Sequence, residues 1–148
     1  MKLIEKYDIQ TEGKSCLVVG RSNIVGRPMS ILMSQRGKYG NSTVTLAHSK
    51  TKNLAELTQK ADIIVMALGI PEFLKSDMIK EDSVIIDVGI TRVENKSKEK
   101  GYMIKGDVDF DSVSKKVKFL TPVPGGVGPM TIAMLLQNTL DARLLSLS

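Results

Sequence analysis

The stretch Val18-Val19-Gly20-Arg21-Ser22-Asn23-Ile24-Val25-Gly26-Arg27-Pro28 decides how the rest of the chain is read. An apolar run ending at Val19 breaks into a tight polar turn, and an apolar-periodic stretch, Met29 to Met33, follows. This predicts a strand, a glycine-bearing turn and the start of a helix. Such a turn sets backbone N–H groups and the positive end of a helix against a phosphate. The small residues fall at Gly20, Ser22 and Gly26, spaced G-x-S-x-x-x-G rather than as the strict dinucleotide fingerprint. The turn therefore needs support from elsewhere in the chain.

That support comes from repetition of the strand-and-turn pattern. Apolar strands are predicted at Ser15 to Val19, Thr43 to Ala47, Ile63 to Ala67, Val84 to Gly89 and Val117 to Leu120. Helices are expected within Met1 to Thr11, after Pro28, from a cap at Asn53 to Lys60, around Asp77 to Lys80, from a cap at Asp109 toward Lys116, and from Met130 to Leu145. In the last helix Ile132, Leu135, Leu136 and Leu140 recur at helical spacing, predicting an amphipathic element. Glu94 to Gly101 is the most polar segment and reads as an exposed hairpin loop. Strands alternating with helices predict an α/β fold: a Rossmann-like, doubly wound parallel sheet in a three-layer sandwich. The expected strand order is 3-2-1-4-5, with a ligand crevice beyond strands one and four. Gly20 to Ser22, His48 to Lys50, Gly69 to Pro71 and Gly89-Ile90 would then converge on one sheet edge.

Composition narrows the function. A chain of 148 residues, 42% of them hydrophobic, can build one domain with a sizeable core. No apolar run approaches the roughly 20 residues of a membrane span, and no signal-peptide pattern opens the chain. Cys16, the only cysteine, falls in the first strand and reads as a core residue in a reducing compartment. His48 is the only histidine, which excludes a histidine-based metal cluster. The formal charge of +5 could suit nucleic acid, but the lysines are scattered and the 4% aromatic content leaves few base-stacking platforms. Neither nucleic acid nor membrane is an expected partner.

The predicted second strand ends in His48-Ser49-Lys50, where an NAD-binding sheet usually carries an acid that accepts from the ribose hydroxyl. Donors and cations at that position attract a ribose phosphate. With Arg21 in the adjacent turn, two charged contacts of roughly 1.5–3 kcal/mol each would favour the phosphorylated cofactor, NADP, by about tenfold or more.

These residues also carry a family likeness. The first turn, Thr43-Val44-Thr45, His48-Ser49-Lys50-Thr51, Ala61-Asp62-Ile63-Ile64 and Ile86-Asp87-Val88-Gly89-Ile90 resemble the bifunctional methylenetetrahydrofolate dehydrogenase/methenyltetrahydrofolate cyclohydrolase family. The most specific piece is Thr121-Pro122-Val123-Pro124-Gly125-Gly126-Val127-Gly128-Pro129-Met130-Thr131, with its prolines and glycines in fixed places. The likeness runs from about Ile4 to about Leu140 and covers only that family's NAD(P)-binding domain. It implies that Gly20, Arg21 and Ser22 line the pyrophosphate and ribose, with Ile24 and Val25 in the same cofactor-binding turn. His48 and Ser49 would lie by the adenosine ribose phosphate and Ile90 by the nicotinamide. Pro124, Gly125, Gly126, Val127 and Gly128 would close over the reacting end of the cofactor and bind the folate substrate. The resemblance further implies a cytoplasmic homodimer acting on tetrahydrofolate derivatives.

The family's Tyr-x-x-x-Lys pair and Asp-Gly-x-x-x-Gln segment belong to its other domain. Neither occurs here: Tyr102 and Lys105 are one residue too close, Tyr7 and Tyr39 have no lysine at that spacing, and no Asp-Gly dipeptide exists. Residues 1–148 therefore read as a cofactor domain without the N-terminal catalytic domain, a fragment or truncated product that is catalytically silent alone. No catalytic residue and no metal ligand is expected in it. The alternatives are a stand-alone NADP-binding regulatory module and an unrelated nicotinamide dehydrogenase on the same fold. The apolar character of Leu3, Ile4, Leu144, Leu145 and Leu147 points instead to a face that seeks a partner.

Overall fold

The computed structural model describes residues 1–147. The parallel strands are β1 (Ser15–Val19), β2 (Thr43–Ala47), β3 (Ile63–Met66), β4 (Val84–Asp87) and the two-residue β7 (Phe119–Leu120). A separate antiparallel pair, β5 (Thr91–Glu94) and β6 (Tyr102–Lys105), turns through the polar segment expected to form a hairpin loop. Helices are α1 (Lys2–Lys6), α2 (Gly26–Ser34), α3 (Leu54–Lys60), α4 (Phe110–Val113) and α5 (Val127–Leu145), with a 3₁₀ turn at Ser76–Met78.

Side chains along each central strand alternate between two cores. Leu17, Val19, Ile64, Met66 and Ile85 face a cluster that includes Leu54 and Leu57 of α3, Met78 of the 3₁₀ turn and Val113 of α4. Cys16, Val18, Ile63, Val65, Val84 and Ile86 face Ile4 of α1, Met29 and Met33 of α2, and Val127 of α5, so Ile4 is a core residue and not part of a face open to a partner. The result is the expected three-layer, Rossmann-like α/β arrangement, with β1, β3 and β4 apolar on both faces. Burial pushes the Cys16 thiol up to about 12, consistent with a core side chain.

The strand order corrects one expectation. The sheet runs β2-β1-β3-β4-β7, not 3-2-1-4-5. Side-chain chemistry explains why. Thr43-Val44-Thr45-Leu46 alternates exposed and half-buried residues, as an edge strand does, whereas Ile63-Ile64-Val65-Met66 is buried throughout and needs a neighbour on each side. The chain therefore crosses from β2 over β1, and β3 pairs on the far side of β1. The point where the winding direction reverses, beyond which a ligand crevice opens, lies between β1 and β3 rather than between strands one and four.

Helix ends also differ: α4 stops at Val113, short of Lys116, and the stretch expected around Asp77 to Lys80 is the 3₁₀ turn at Ser76–Met78. Asn53 occupies the cap position of α3 but adopts a left-handed φ of 55° and makes no side-chain capping bond. Helix α5 begins at Val127, earlier than expected, because Pro129 sits in its first turn, where a missing N–H is harmless. Its stripe is not a core face. Ile132, Leu135, Leu136 and Leu140 are 54–67% exposed, and no α5 residue is buried.

Candidate functional site

Because the sheet is parallel, the segments after β1, β2, β3, β4 and β7 leave the same edge. Backbone bonds continue past the strand ends and hold these exits level. Gly20 N–H donates to the Ala47 carbonyl at 2.9 Å, Ala67 N–H to Val19 at 2.8 Å, and Val88 N–H to Met66 at 2.9 Å. Gly20 has φ of 124°, and a Cβ there would fall on the Ala67 carbonyl oxygen, so the first turn and the end of β3 pack backbone to backbone.

The first turn presents Arg21, Ser22 and Ile24 to solvent, with Val25 half-buried. Ser22 Oγ accepts from the N–H groups of Val25 (3.1 Å) and Gly26 (3.4 Å) and so closes the first turn of α2. Beside it, at the end of β2, Ser49 and Lys50 are exposed and His48 is half-buried. His48 N–H donates to Thr51 Oγ1 at 2.9 Å, and Lys50 N–H donates to His48 Nδ1 at 3.2 Å. With Nδ1 accepting, a neutral imidazole carries its proton on Nε2, a donor of the kind a phosphate oxygen requires. Neither segment contains a carboxylate from Val18 to Pro28 or from Ala47 to Asn53. The pair forms an open, cationic, hydroxyl-bearing shelf that suits a phosphorylated ribose.

The other half of the rim is concave. Ile90, Val88, Ile104 and the loop from Pro122 to Gly128 surround a cavity of about 220 Å³. Pro124, Gly125, Gly126, Val127 and Gly128 thus share one cavity with Ile90. Val127 and Gly128 belong to the first turn of α5 rather than to the loop, and Gly126 is its cap residue. The Ile90 side chain is 62% exposed, leaving an apolar surface at the cavity mouth.

Two residues escaped the reading of the sequence. Asp87 closes the apolar run of β4 and is 2% exposed; Asp107, in Gly106-Asp107-Val108, is fully buried. Both accept backbone N–H groups under the rim. The available signal was an acid at the end of a fully apolar strand, where burial demands dedicated donors. Tyr102 and Lys105, by contrast, lie on β6 and are engaged elsewhere: the Arg92 guanidinium sits 4.9 Å from the Tyr102 ring centroid, and Lys105 pairs with Glu72.

Comparison with known proteins identifies the family. Residues 1–146 match the family model described as tetrahydrofolate dehydrogenase/cyclohydrolase, NAD(P)-binding domain. The bifunctional protein FolD of Flavobacterium johnsoniae is 69% identical over 143 residues, which is 97% of this chain and 48% of that protein. The FolD of Bacteroides thetaiotaomicron is 55% identical over 142 residues, 96% of this chain and 48% of its own length. Among solved structures, Campylobacter jejuni FolD superposes with a TM-score of 0.85 at 51% identity, covering 95% of this chain and 46% of that one. The Trypanosoma brucei enzyme, solved with NADP and an inhibitor, gives 0.87 at 41% identity over 95% of this chain and 46% of its own. The chain spans about half the length of these relatives. It belongs to the tetrahydrofolate dehydrogenase/cyclohydrolase family and matches that family's NAD(P)-binding domain.

Proposed function

We propose that residues 1–148 form the NADP-holding domain of an enzyme that oxidises methylenetetrahydrofolate to methenyltetrahydrofolate and hydrolyses that product to formyltetrahydrofolate. The carrying observation is the division of one sheet edge. An acid-free shelf at β1 and β2 stands beside a cavity formed by Ile90 and the Pro124-to-Gly128 segment. On this reading Gly20, Arg21, Ser22, Ile24 and Val25 hold the pyrophosphate and ribose, while His48 and Ser49 donate to the ribose phosphate. Ile90 lies against the nicotinamide. The Pro124-to-Gly128 segment covers the reacting end of the cofactor and one side of the folate. When bound, NADP supplies the hydride acceptor. The chain's own contribution is to orient that acceptor and to exclude water around it.

Among the described residues, the polar side chains lining the cavity are Asp87, whose carboxylate is buried and occupied by backbone donors, and Thr131, whose hydroxyl donates to the Val127 carbonyl; neither is a free base to activate water. The proton-handling groups and most of the grip on folate are therefore assigned to a second domain outside these residues. The exposed apolar stripe of α5 is a surface such a domain would cover. The buried Cys16 suits a reducing, cytoplasmic setting, and homodimer assembly of the whole enzyme rests on the resemblance alone.

Parallel calorimetric titrations with NADP and NAD, with a dehydrogenase and cyclohydrolase assay on the same homogeneous sample, test this reading. The expected outcome is binding of NADP about tenfold tighter than NAD, without turnover. Tighter binding of NAD would overturn the assignment of the shelf, and turnover by this chain alone would overturn the division of labour.

A further inference from the structure

Asp87 and Asp107 form one buried unit under the rim. Asp107 Oδ2 accepts from Leu68 N–H (2.6 Å) and Gly69 N–H (3.0 Å), the segment leaving β3. Asp87 Oδ1 accepts from Gly89 N–H (2.9 Å) and Asp107 N–H (3.1 Å), and Asp87 Oδ2 from Val108 N–H (3.0 Å). The backbone N–H of Asp87 donates to Thr121 Oγ1 at 2.8 Å, at the root of the Pro/Gly loop. Thr91 Oγ1 donates to the Gly69 carbonyl at 3.3 Å, closing the circuit one residue past Ile90.

The packing leaves little slack. A Cβ on Gly89 would land on the Asp107 carboxylate, and one on Gly106 would land on Asp87 Oδ2. Among the described residues, Asp107 Oδ1 is buried with no hydrogen-bond partner. Burial raises the Asp87 carboxyl above its ordinary value, the Asp107 charge adds to this, and three backbone N–H bonds oppose it. Backbone carbonyls could satisfy the same N–H groups without burying charge, so the fold alone does not require two carboxylates here. All the segments they bind carry, or directly adjoin, the cavity half of the rim. None belongs to the shelf at β1 and β2.

We infer that Asp107, backed by Asp87, is a positioning residue that fixes the nicotinamide-side half of the rim by tying the exit of β3 to that of β4, from which the Asp87 backbone N–H holds the root of the Pro/Gly loop. The inference rests on the NADP reading above. It requires that the two ends of the cofactor respond differently when the unit is loosened.

The test compares NADP with adenosine 2′,5′-bisphosphate, which carries the phosphorylated ribose but no nicotinamide, on the full chain and on Asp107→Ala and Asp107→Asn. Alanine removes the acceptor of two N–H groups. Asparagine keeps one oxygen but loses the charge and sets an amide against Gly89. NADP affinity is expected to fall about tenfold or more in Asp107→Ala and about threefold in Asp107→Asn, with bisphosphate affinity held within about twofold. If Asp107→Ala loses its cooperative unfolding transition, Asp107→Asn decides. Equal weakening of both ligands, or no change in either, overturns the inference and leaves the NADP reading intact. Failure of the unsubstituted chain to bind either ligand overturns that reading, and the inference falls with it.

Discussion

Substituting Gly20 by alanine tests the junction on which the first turn depends. The residue has φ of 124°, a region that L side chains rarely adopt, and such strain costs about 1–3 kcal/mol. The new methyl would also meet the Ala67 carbonyl, so either the turn or the end of β3 must move; overpacking of that kind costs about 1–3 kcal/mol more. Together the loss is about 2–6 kcal/mol, a large part of the roughly 5–15 kcal/mol that stabilises a typical domain. Gly13 supplies the control: its φ is 69°, but among the described residues no heavy atom beyond its chain neighbours lies within 4 Å of its Cβ position. Gly13→Ala should therefore cost only the torsional part, about 1–2 kcal/mol. Urea unfolding of both variants gives the difference, provided the slopes against denaturant agree. If Gly20→Ala lies within about 0.5 kcal/mol of Gly13→Ala, the close approach of β1 and β3 is not a constraint and the account of the turn is wrong.

Arg21→Ala should weaken NADP binding by about tenfold or more while changing NAD binding far less, read by paired titration calorimetry. Asp62 accepts from the Ser15 N–H at 2.8 Å and Oγ at 2.9 Å and pairs with Lys80; burial opposes its ionisation, but these bonds outweigh it and hold the carboxyl at about 2. A lowered value means the stabilisation is fully present above the ordinary 3.8 and is lost as pH falls toward 2; urea midpoints measured across that window should flatten in Asp62→Asn. Replacing Leu135 and Leu136 with serine should change the unfolding free energy of this chain by no more than about 0.5 kcal/mol per site, because both are exposed; thermal unfolding checks it, and a larger loss would mean the stripe packs within the domain.

Much of this arrangement was legible in the sequence for a simple reason: short apolar strands and Gly- or Pro-bearing turns are local signals. The strands came through nearly to the residue at Ser15–Val19 and Thr43–Ala47. Strand order is a non-local property, and the expected order follows a fold template where the side chains point elsewhere. Thr43 and Thr45 on alternate positions marked an edge, and the unbroken Ile63-to-Met66 run marked an interior strand. Helix α5 shows the opposite limit. Periodicity identified its apolar residues correctly but could not say what would bury them. Asp87 and Asp107 were hidden because their bonds join backbone groups from 2 to 39 residues away, a relation that no window of sequence displays.

The strand order gives the proposed site its logic. With β1 between β2 and β3, the reversal of winding falls in the middle of the rim, and the two halves are built by different means. The β1–β2 half is exposed, and its side-chain bonds are short-range, from the backbone of α2 to Ser22 and within the His48 turn. Such a surface can recognise charge without fixing a ring plane. The β3–β4–β7 half is clamped between segments distant in the chain, by the buried carboxylates of Asp107 and Asp87 and by the Asp87 backbone N–H that donates to Thr121. Hydride transfer tolerates little displacement of the reacting carbon, whereas phosphate binding tolerates more. A domain of this kind can therefore change its affinity at the shelf without disturbing the geometry at the cavity. Substitutions at Arg21 and at Asp107 should for that reason combine additively in NADP binding, since the sites share no partner. Strong coupling between them would show the rim to be a single unit after all.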